Sequence, residues 1–97
     1  MIITATTSVQ ELVPQNQLRK SLAILNEDGS SYIYVKKERP GKNTVSATDH
    51  DHRIAPGGGL ALNFNNDGAE AIQERWTVIA ASGTPTVSVF ETESITR

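Results

Sequence analysis

Apolar and polar residues alternate along several short segments of the chain, which is the pattern of β-strands with one buried face. Two such segments lie on either side of the pair Asp28-Gly29, and an Asp-Gly pair suits the positive φ angles of tight hairpin turns. The pattern therefore predicts a β-hairpin from Arg19 to Lys36. The clearest alternation covers residues 60–65, where one face carries Leu60, Leu62 and Phe64.

A second hairpin is predicted where residues 75–81 and 86–91 flank the turn residues 82–85. The apolar residues on one face of these two runs form the expected inner set, and replacing its largest member with Ala should cost about 3 to 5 kcal/mol. Residues 44–48 form a weaker predicted strand. A single helical turn is expected at residues 69–74, after the second Asp-Gly pair. The inner set consists of Trp76, Val78, Val87 and Val89.

Short strands at even spacing, with turn residues between them, are typical of an all-β fold. The sequence predicts a single antiparallel β-sandwich or jelly-roll-like barrel of six to eight strands. Residues 1–18 are expected to form an N-terminal strand or arm with a linker, residues 19–91 the sandwich, and residues 92–97 a polar tail. The arm either pairs with the protein's own sheet or adds a strand to a partner; the first alternative is favoured because edge strands need a partner.

Composition narrows the classes of function. The chain has 97 residues, of which 37% are hydrophobic, a formal net charge of −2 and no cysteine. These values indicate one domain with a thin core and without thiolate chemistry, and the absence of a block of like charge argues against a nucleic-acid partner. No signal sequence is evident, and no apolar run reaches the roughly 20 residues that span a bilayer. We therefore expect a soluble protein made in a cytoplasm, without a membrane partner.

The charged segment at residues 36–42 contains a Pro-Gly turn and four cationic side chains. These cations would suit an acidic partner surface. A solvated loop is the favoured interpretation, because charged surface loops are common and exposed ion pairs contribute little stability.

The segment Asp49-His50-Asp51-His52 has residue types suited to metal binding. On an extended chain both imidazoles project to the same side, so His50 and His52 could supply two ligands to one metal ion. Cupin enzymes share such a His-x-His pair, but the Glu that should follow is missing here, and Ala61 stands where the His of their second motif belongs. A cupin-like metal-dependent enzyme is therefore a minor alternative. The favoured prediction is a polar loop in a protein with no catalytic residue and no cofactor.

A series of short motifs follows in order from residue 19 to residue 91. They are Arg19-x-Ser21-Leu22-x-Ile24-x-Asn26, Tyr32-x-Tyr34-Val35, Ile54-Ala55-Pro56-Gly57-Gly58, Trp76-x-Val78-x-Ala80-Ala81-Ser82-Gly83-Thr84 and Val87-x-Val89-x-Glu91. In this order the motifs resemble those of small β-sandwich virion proteins of tailed bacteriophages. That group comprises capsid decoration (cement) proteins and related head or fibre-base modules.

The resemblance implies a non-catalytic protein that binds the major capsid protein on the assembled head, often as a homotrimer, and clamps neighbouring capsomers. It implies a place on the virion surface after synthesis in the bacterial host. A trimer would cover the apolar residues expected outside the core, which are Leu25, Ile33, Ile79 and Phe90. The N-terminal segment is then expected to contact the shell through Ile2, Ile3, Thr4, Thr6, Val9, Leu12 and Val13.

The aromatic residues Tyr32, Tyr34 and Trp76 support an alternative function. Exposed aromatic side chains stack on sugar rings, which would suit a carbohydrate- or receptor-binding module of a phage fibre or tail. Aromatic residues at alternating strand positions are more often core residues or cross-strand pairs, so this alternative ranks second.

Overall fold

The computed structural model describes residues 1–38 and 44–93 and contains two antiparallel sheets packed face to face. Sheet 1 comprises, in spatial order, β1 (Ile2–Thr4), β8 (Thr86–Glu93), β3 (Arg19–Asn26) and β6 (Gly59–Asn63). Sheet 2 comprises β2 (Gln10–Val13), β7 (Arg75–Ala80), β4 (Ile33–Glu38) and β5 (His52–Ile54), and one helix, α1 (Phe64–Gln73), connects β6 to β7. The predicted all-β sandwich is confirmed. Residues 39–42 of the predicted charged loop and residues 94–97 of the predicted tail lie outside the described residues.

The core lies between the two sheets, and its residues come from both. The predicted inner set Trp76, Val78, Val87 and Val89 is confirmed, since none of these residues is more than 2% exposed. The indole N–H of Trp76 donates to the Ala71 carbonyl at 2.9 Å and so ties α1 to sheet 2. Ile33, expected outside the core, is fully buried within it. That expectation is wrong because Ile33 and Val35 form the core face of β4, and Tyr34 points outward.

The predicted hairpin from Arg19 to Lys36 is wrong, because β3 lies in sheet 1 and β4 in sheet 2. Two strands that each have one apolar face can lie side by side or face each other across a core, and periodicity does not distinguish the two arrangements. A side chain stabilises the connection from β3 to β4, which we call the corner at Asp28. The Asp28 carboxylate accepts hydrogen bonds from the backbone N–H groups of Ser30 and Ser31, at 3.0 and 2.7 Å. Gly29 does not adopt the positive φ on which the prediction of a tight hairpin turn was based.

The predicted second hairpin is wrong for the same reason, because β7 lies in sheet 2 and β8 in sheet 1. The chain between β1 and β2 also crosses between the sheets: the Ala5 N–H donates to the Pro85 carbonyl at 2.9 Å, and the Ala80 N–H donates to the Thr6 carbonyl at 2.7 Å. β1 pairs with β8 and β2 pairs with β7. The N-terminal segment therefore pairs with the protein's own sheets, which was the favoured alternative.

The helix α1 is longer than the single turn predicted at residues 69–74. The Asn63 side chain accepts a hydrogen bond from the Asn66 N–H at 2.9 Å, and the Asp67 carboxylate accepts one from the Asn63 N–H at 2.9 Å. These two bonds cap the helix and end β6 one residue before Phe64, which was expected to continue the strand. Gly68 interrupts the helix with a φ of 85°, the positive angle expected of an Asp-Gly pair.

The predicted strand at residues 44–48 does not form. This segment has a single bridge between Ser46 and Asp49, although Val45 is buried. The strand in this part of the chain is β5, which begins at His52 and pairs with β4.

Candidate interaction surface

The outward residues of the sheet 1 strands carry no charge, although the carboxylate of Glu27, the residue after β3, accepts a hydrogen bond from the Ser88 hydroxyl. The strand register places alternate residues of all the strands of this sheet on the same side. Apart from small and apolar residues, it contains hydroxyl groups and one amide; the Ser21 and Thr92 hydroxyls share a hydrogen bond of 2.6 Å. We call this surface the uncharged face. It consists of Ile2, Thr4, Ser21, Ala23, Leu25, Gly59, Ala61, Asn63, Thr86, Ser88, Phe90 and Thr92.

Large apolar side chains are exposed on the uncharged face. Ile2 is 69% exposed, Phe90 59% and Leu25 40%. Ile2 and Leu25 flank Ser88 in the strand register, and Phe90 is the next outward residue of β8, so the apolar residues are neighbours. Full burial of one such side chain contributes about 1.5 to 3 kcal/mol, so a partner that covers all of them gains substantial binding free energy.

The outer face of sheet 2 carries paired charges instead. Arg75 Nε lies 2.7 Å from Glu11 Oε2, and Arg75 Nη1 contacts the Glu38 carboxylate. Lys36 Nζ lies 2.8 Å from an Asp49 carboxylate oxygen. The hydrogen bond to Glu11, together with the charge of Glu38, raises the pKa of Arg75 above its ordinary value. The two outer faces of the sandwich therefore differ in polarity, and sheet 1 has the one suited to a hydrophobic contact.

A shallow cleft of about 470 Å³ lies beside the start of α1 and is lined by Lys20, Asn63, Phe64, Asn65 and Asn66. Lys20 Nζ lies 4.2 Å from the centre of the Phe64 ring, and the Asn63 side chain caps the helix. The lining contains no carboxylate, imidazole or hydroxyl group that could act as a nucleophile or general base.

The structure separates His50 from His52. The His50 ring lies 4.7 Å from the ring of Tyr34, on the outer face of sheet 2, and its Nδ1 lies 3.1 Å from the Ser46 carbonyl. The His52 ring instead stacks 6.3 Å from the core residue Trp76. Since a bend at Asp51 interrupts the extended chain, the expectation that both imidazoles share one side is wrong. Among the side chains that the structure describes, no three from His, Asp or Glu form a group that could hold a metal ion.

The tyrosines of the alternative carbohydrate site each have one ring face occupied. The Arg53 guanidinium lies 4.9 Å from the centre of the Tyr32 ring, and His50 covers Tyr34. Trp76 is only 2% exposed. The three aromatic side chains therefore do not form an open stacking surface.

The N-terminal residues expected to bind a partner are in different environments. Ile2, Thr4 and Val9 are exposed, and the first two belong to the uncharged face. Ile3 and Thr6 are half-buried. The remaining two, Leu12 and Val13, are core residues at 2% and 0% exposure, and a partner cannot reach them while the sandwich is folded.

Only part of the uncharged face was predicted from the sequence. Leu25 and Phe90 were expected outside the core, and Ile2 and Thr4 were expected to bind a partner. The small and hydroxyl residues between them, such as Ala23, Ala61 and Thr92, were missed. The sequence feature that could have predicted them is the absence of Asp, Glu, Lys and Arg at alternate positions of three separate segments. These positions can be assigned to one face only when the strand register is known.

No match to this chain was found among protein-family models, curated proteins or solved structures. In the part of the chain that the structure describes, no helix is long and apolar enough to cross a membrane.

Proposed function

We propose that this protein is a non-catalytic structural component of a bacteriophage virion, a capsid decoration protein that binds the assembled head through the uncharged face. The resemblance of its motifs to small virion proteins supports the viral context. The exposure of Ile2, Leu25 and Phe90, on a face whose outward strand residues carry no charge, supports the mode of binding. The polarity of this face is the observation that carries the proposal.

The two outer faces differ in the hydration that a contact with a partner would remove. Charged groups at the centre of an interface must lose water and find new partners, and interface cores are accordingly depleted of charge. The outward strand residues of the uncharged face avoid this cost, and the Glu27 carboxylate beside them already accepts a hydrogen bond from Ser88. Covering Arg75 and its partners on sheet 2 would incur the cost. We therefore expect sheet 1 to face the capsid and sheet 2 to face solvent.

A capsid offers many equivalent copies of the same site, and a small contact suits such a target. The affinity of each copy need only be modest when several linked copies bind at once. The partner is the major capsid protein at the surface of the head, and the contact set includes Ile2 and Thr4 from the N-terminal segment. Because Leu12 and Val13 are core residues, strand addition by the whole N-terminal segment is not part of this proposal.

Binding of purified protein to undecorated, expanded heads of the virus that encodes it tests the proposal. The wild-type protein should bind saturably and cosediment with the heads. Phe90→Lys places a charge at the centre of the face and should weaken binding about tenfold or more without unfolding the protein. Gln15→Lys adds the same charge at an exposed loop position and should bind as the wild type does.

The possible outcomes separate the parts of the proposal. If the wild-type protein does not bind the heads, the decoration role is wrong. If Phe90→Lys binds as tightly as the wild type, the role stands but the uncharged face is not the contact. Val9→Lys tests the N-terminal segment separately, because Val9 is exposed but lies outside the uncharged face.

A further inference from the structure

The strand β6 forms one edge of sheet 1 and is bonded to β3 on one side only. Backbone groups in an antiparallel pair alternate between pointing toward the neighbouring strand and away from it. The hydrogen bond from the Asn26 N–H to the Gly58 carbonyl, at 2.9 Å, fixes this alternation. Leu60 and Leu62 therefore direct their N–H and C=O groups toward β3. Gly59 and Ala61 direct theirs away from the sheet.

The other described sheet edges have features that discourage pairing with another chain. β1 and β5 are only three residues long, and β5 contains Arg53. β2 has a register shift between Glu11 and Val13 and is followed by Pro14. β6 is five residues long, contains no charge or proline, and pairs with β3 in unbroken register. Among the strands described here, β6 is the unprotected edge.

We propose that β6 pairs with β6 of a second copy of this chain, antiparallel, about a two-fold axis that passes beside Leu60. In this register Gly59 of each copy lies opposite Ala61 of the other. Every N–H and C=O group that these two residues direct away from the sheet then has a partner. The two copies of sheet 1 join into one continuous sheet of twice the width.

The backbone and side chains of β6 indicate a second copy rather than an unrelated chain. Gly59 and Ala61 are placed symmetrically about Leu60, so the same strand in reverse presents the complementary groups. The half-buried Leu60 side chains meet at the axis and cover each other. Gly57 lies opposite Asn63 of the other copy in this register, and a Cβ atom at Gly57 would meet no atom of its own chain within 4 Å.

The absence of charged residues in β6 also permits the contact between two copies. The uncharged face continues from one copy to the other across the axis, so the joined strands bring no like charges together. This dimer does not depend on the capsid role, and it differs from the trimer that the resemblance implies. If the capsid role also holds, the dimer presents two uncharged faces on one side and so binds two sites at once.

Measurement of molecular mass in solution tests the dimer directly. Because the paired edge is short, we expect a concentration-dependent mass that approaches twice the 10.5 kDa of one chain by about 1 mM protein. Ala61→Pro removes an N–H that has no partner within the sheet, so the fold should persist while the mass falls to that of a monomer. A monomer at all concentrations, a trimer, or a dimer that Ala61→Pro does not weaken would each overturn the proposal.

Disulfide crosslinking provides an independent test, because the chain contains no cysteine of its own. Leu60→Cys places two thiols across the axis in a non-hydrogen-bonded pair, where Cα atoms lie about 4.5 Å apart, within the range that a disulfide bridges. The matched control, Ala61→Cys, lies on the same strand but is offset by two residues from its counterpart. We expect the covalent dimer to form at least about ten times faster with Leu60→Cys under mild oxidation. Equal rates for the two variants would reject the register.

Discussion

Arg19 Nε donates a hydrogen bond of 2.6 Å to Glu91 Oε1, although the Arg19 side chain is fully buried and the Glu91 side chain is 33% exposed. Arg19 Nη1 donates to the carbonyls of Ile72 and Glu74, at 2.7 and 3.1 Å, and Nη2 donates to the carbonyl of Pro14. One guanidinium thus joins β3, β8, the end of α1 and the segment after β2. Its planar arrangement of donors suits a site with several acceptors around it.

Replacing Arg19 with Met should therefore lower the free energy of unfolding by about 3 kcal/mol. The substitution fills part of the space but leaves the backbone carbonyls without a donor, and buried acceptors without a partner are costly. Urea unfolding measures the change. Lys20→Met, at the next residue, should cost about 1 kcal/mol or less, because the Lys20 side chain is exposed and its ammonium group lies over the face of Phe64. Equal losses for the two variants would contradict the role of Arg19.

Trp76 is the largest core side chain, and its replacement should have a large effect. Trp76→Ala should cost about 3 to 5 kcal/mol because it leaves a cavity between the sheets. Trp76→Phe should cost less, since it keeps most of the apolar contact and loses mainly the hydrogen bond to the Ala71 carbonyl. Thermal unfolding of both variants provides the comparison. A loss below about 1 kcal/mol for Trp76→Ala would show that this side chain is not the centre of the core.

The corner at Asp28 should make stability depend on pH. The backbone hydrogen bonds from Ser30 and Ser31 lower the pKa of Asp28 below its ordinary value of 3.8. A carboxylate with a lowered pKa stabilises the fold at pH values above its unfolded pKa, and this contribution disappears as the pH falls through the folded pKa.

Asp28→Ala should therefore lower Tm near pH 7, and the difference from the wild type should narrow as the pH falls below about 4. Asp28→Asn is the matched control, because its amide oxygen still accepts hydrogen bonds but does not titrate. Thermal scans over this pH range measure both differences. If the gap between the wild type and Asp28→Ala is the same at every pH, the carboxylate does not stabilise the corner through its charge.

The two Asp-Gly pairs should respond differently to the same substitution. Gly68→Ala should cost about 1 kcal/mol or more, because Gly68 has a φ of 85° that an alanine adopts only with strain. Gly29→Ala should be neutral or slightly stabilising, since Gly29 has no positive φ and a Cβ atom there meets nothing within 4 Å. Denaturant midpoints distinguish the two variants. An equally large loss for Gly29→Ala would mean that its turn needs glycine after all.

The sequence by itself determined the structural class, the inner set around Trp76 and the exclusion of thiolate chemistry. Strand periodicity is a local property, so alternation at Leu60 and Leu62 or at Val87 and Val89 indicates which side chains share a face. Residue types also indicate which side chains require burial. Neither property depends on the neighbouring strand.

Only the tertiary structure decided which strands are neighbours. An apolar face is buried equally well beside the next strand or across a core from it, so the sequence did not distinguish a hairpin at Asp28 from a crossing between sheets. The uncharged face depends on that choice, because it combines residues from β1, β3, β6 and β8. The burial of Arg19 also depends on it, since its acceptors come from three separate parts of the chain and become neighbours only when the sheets pack.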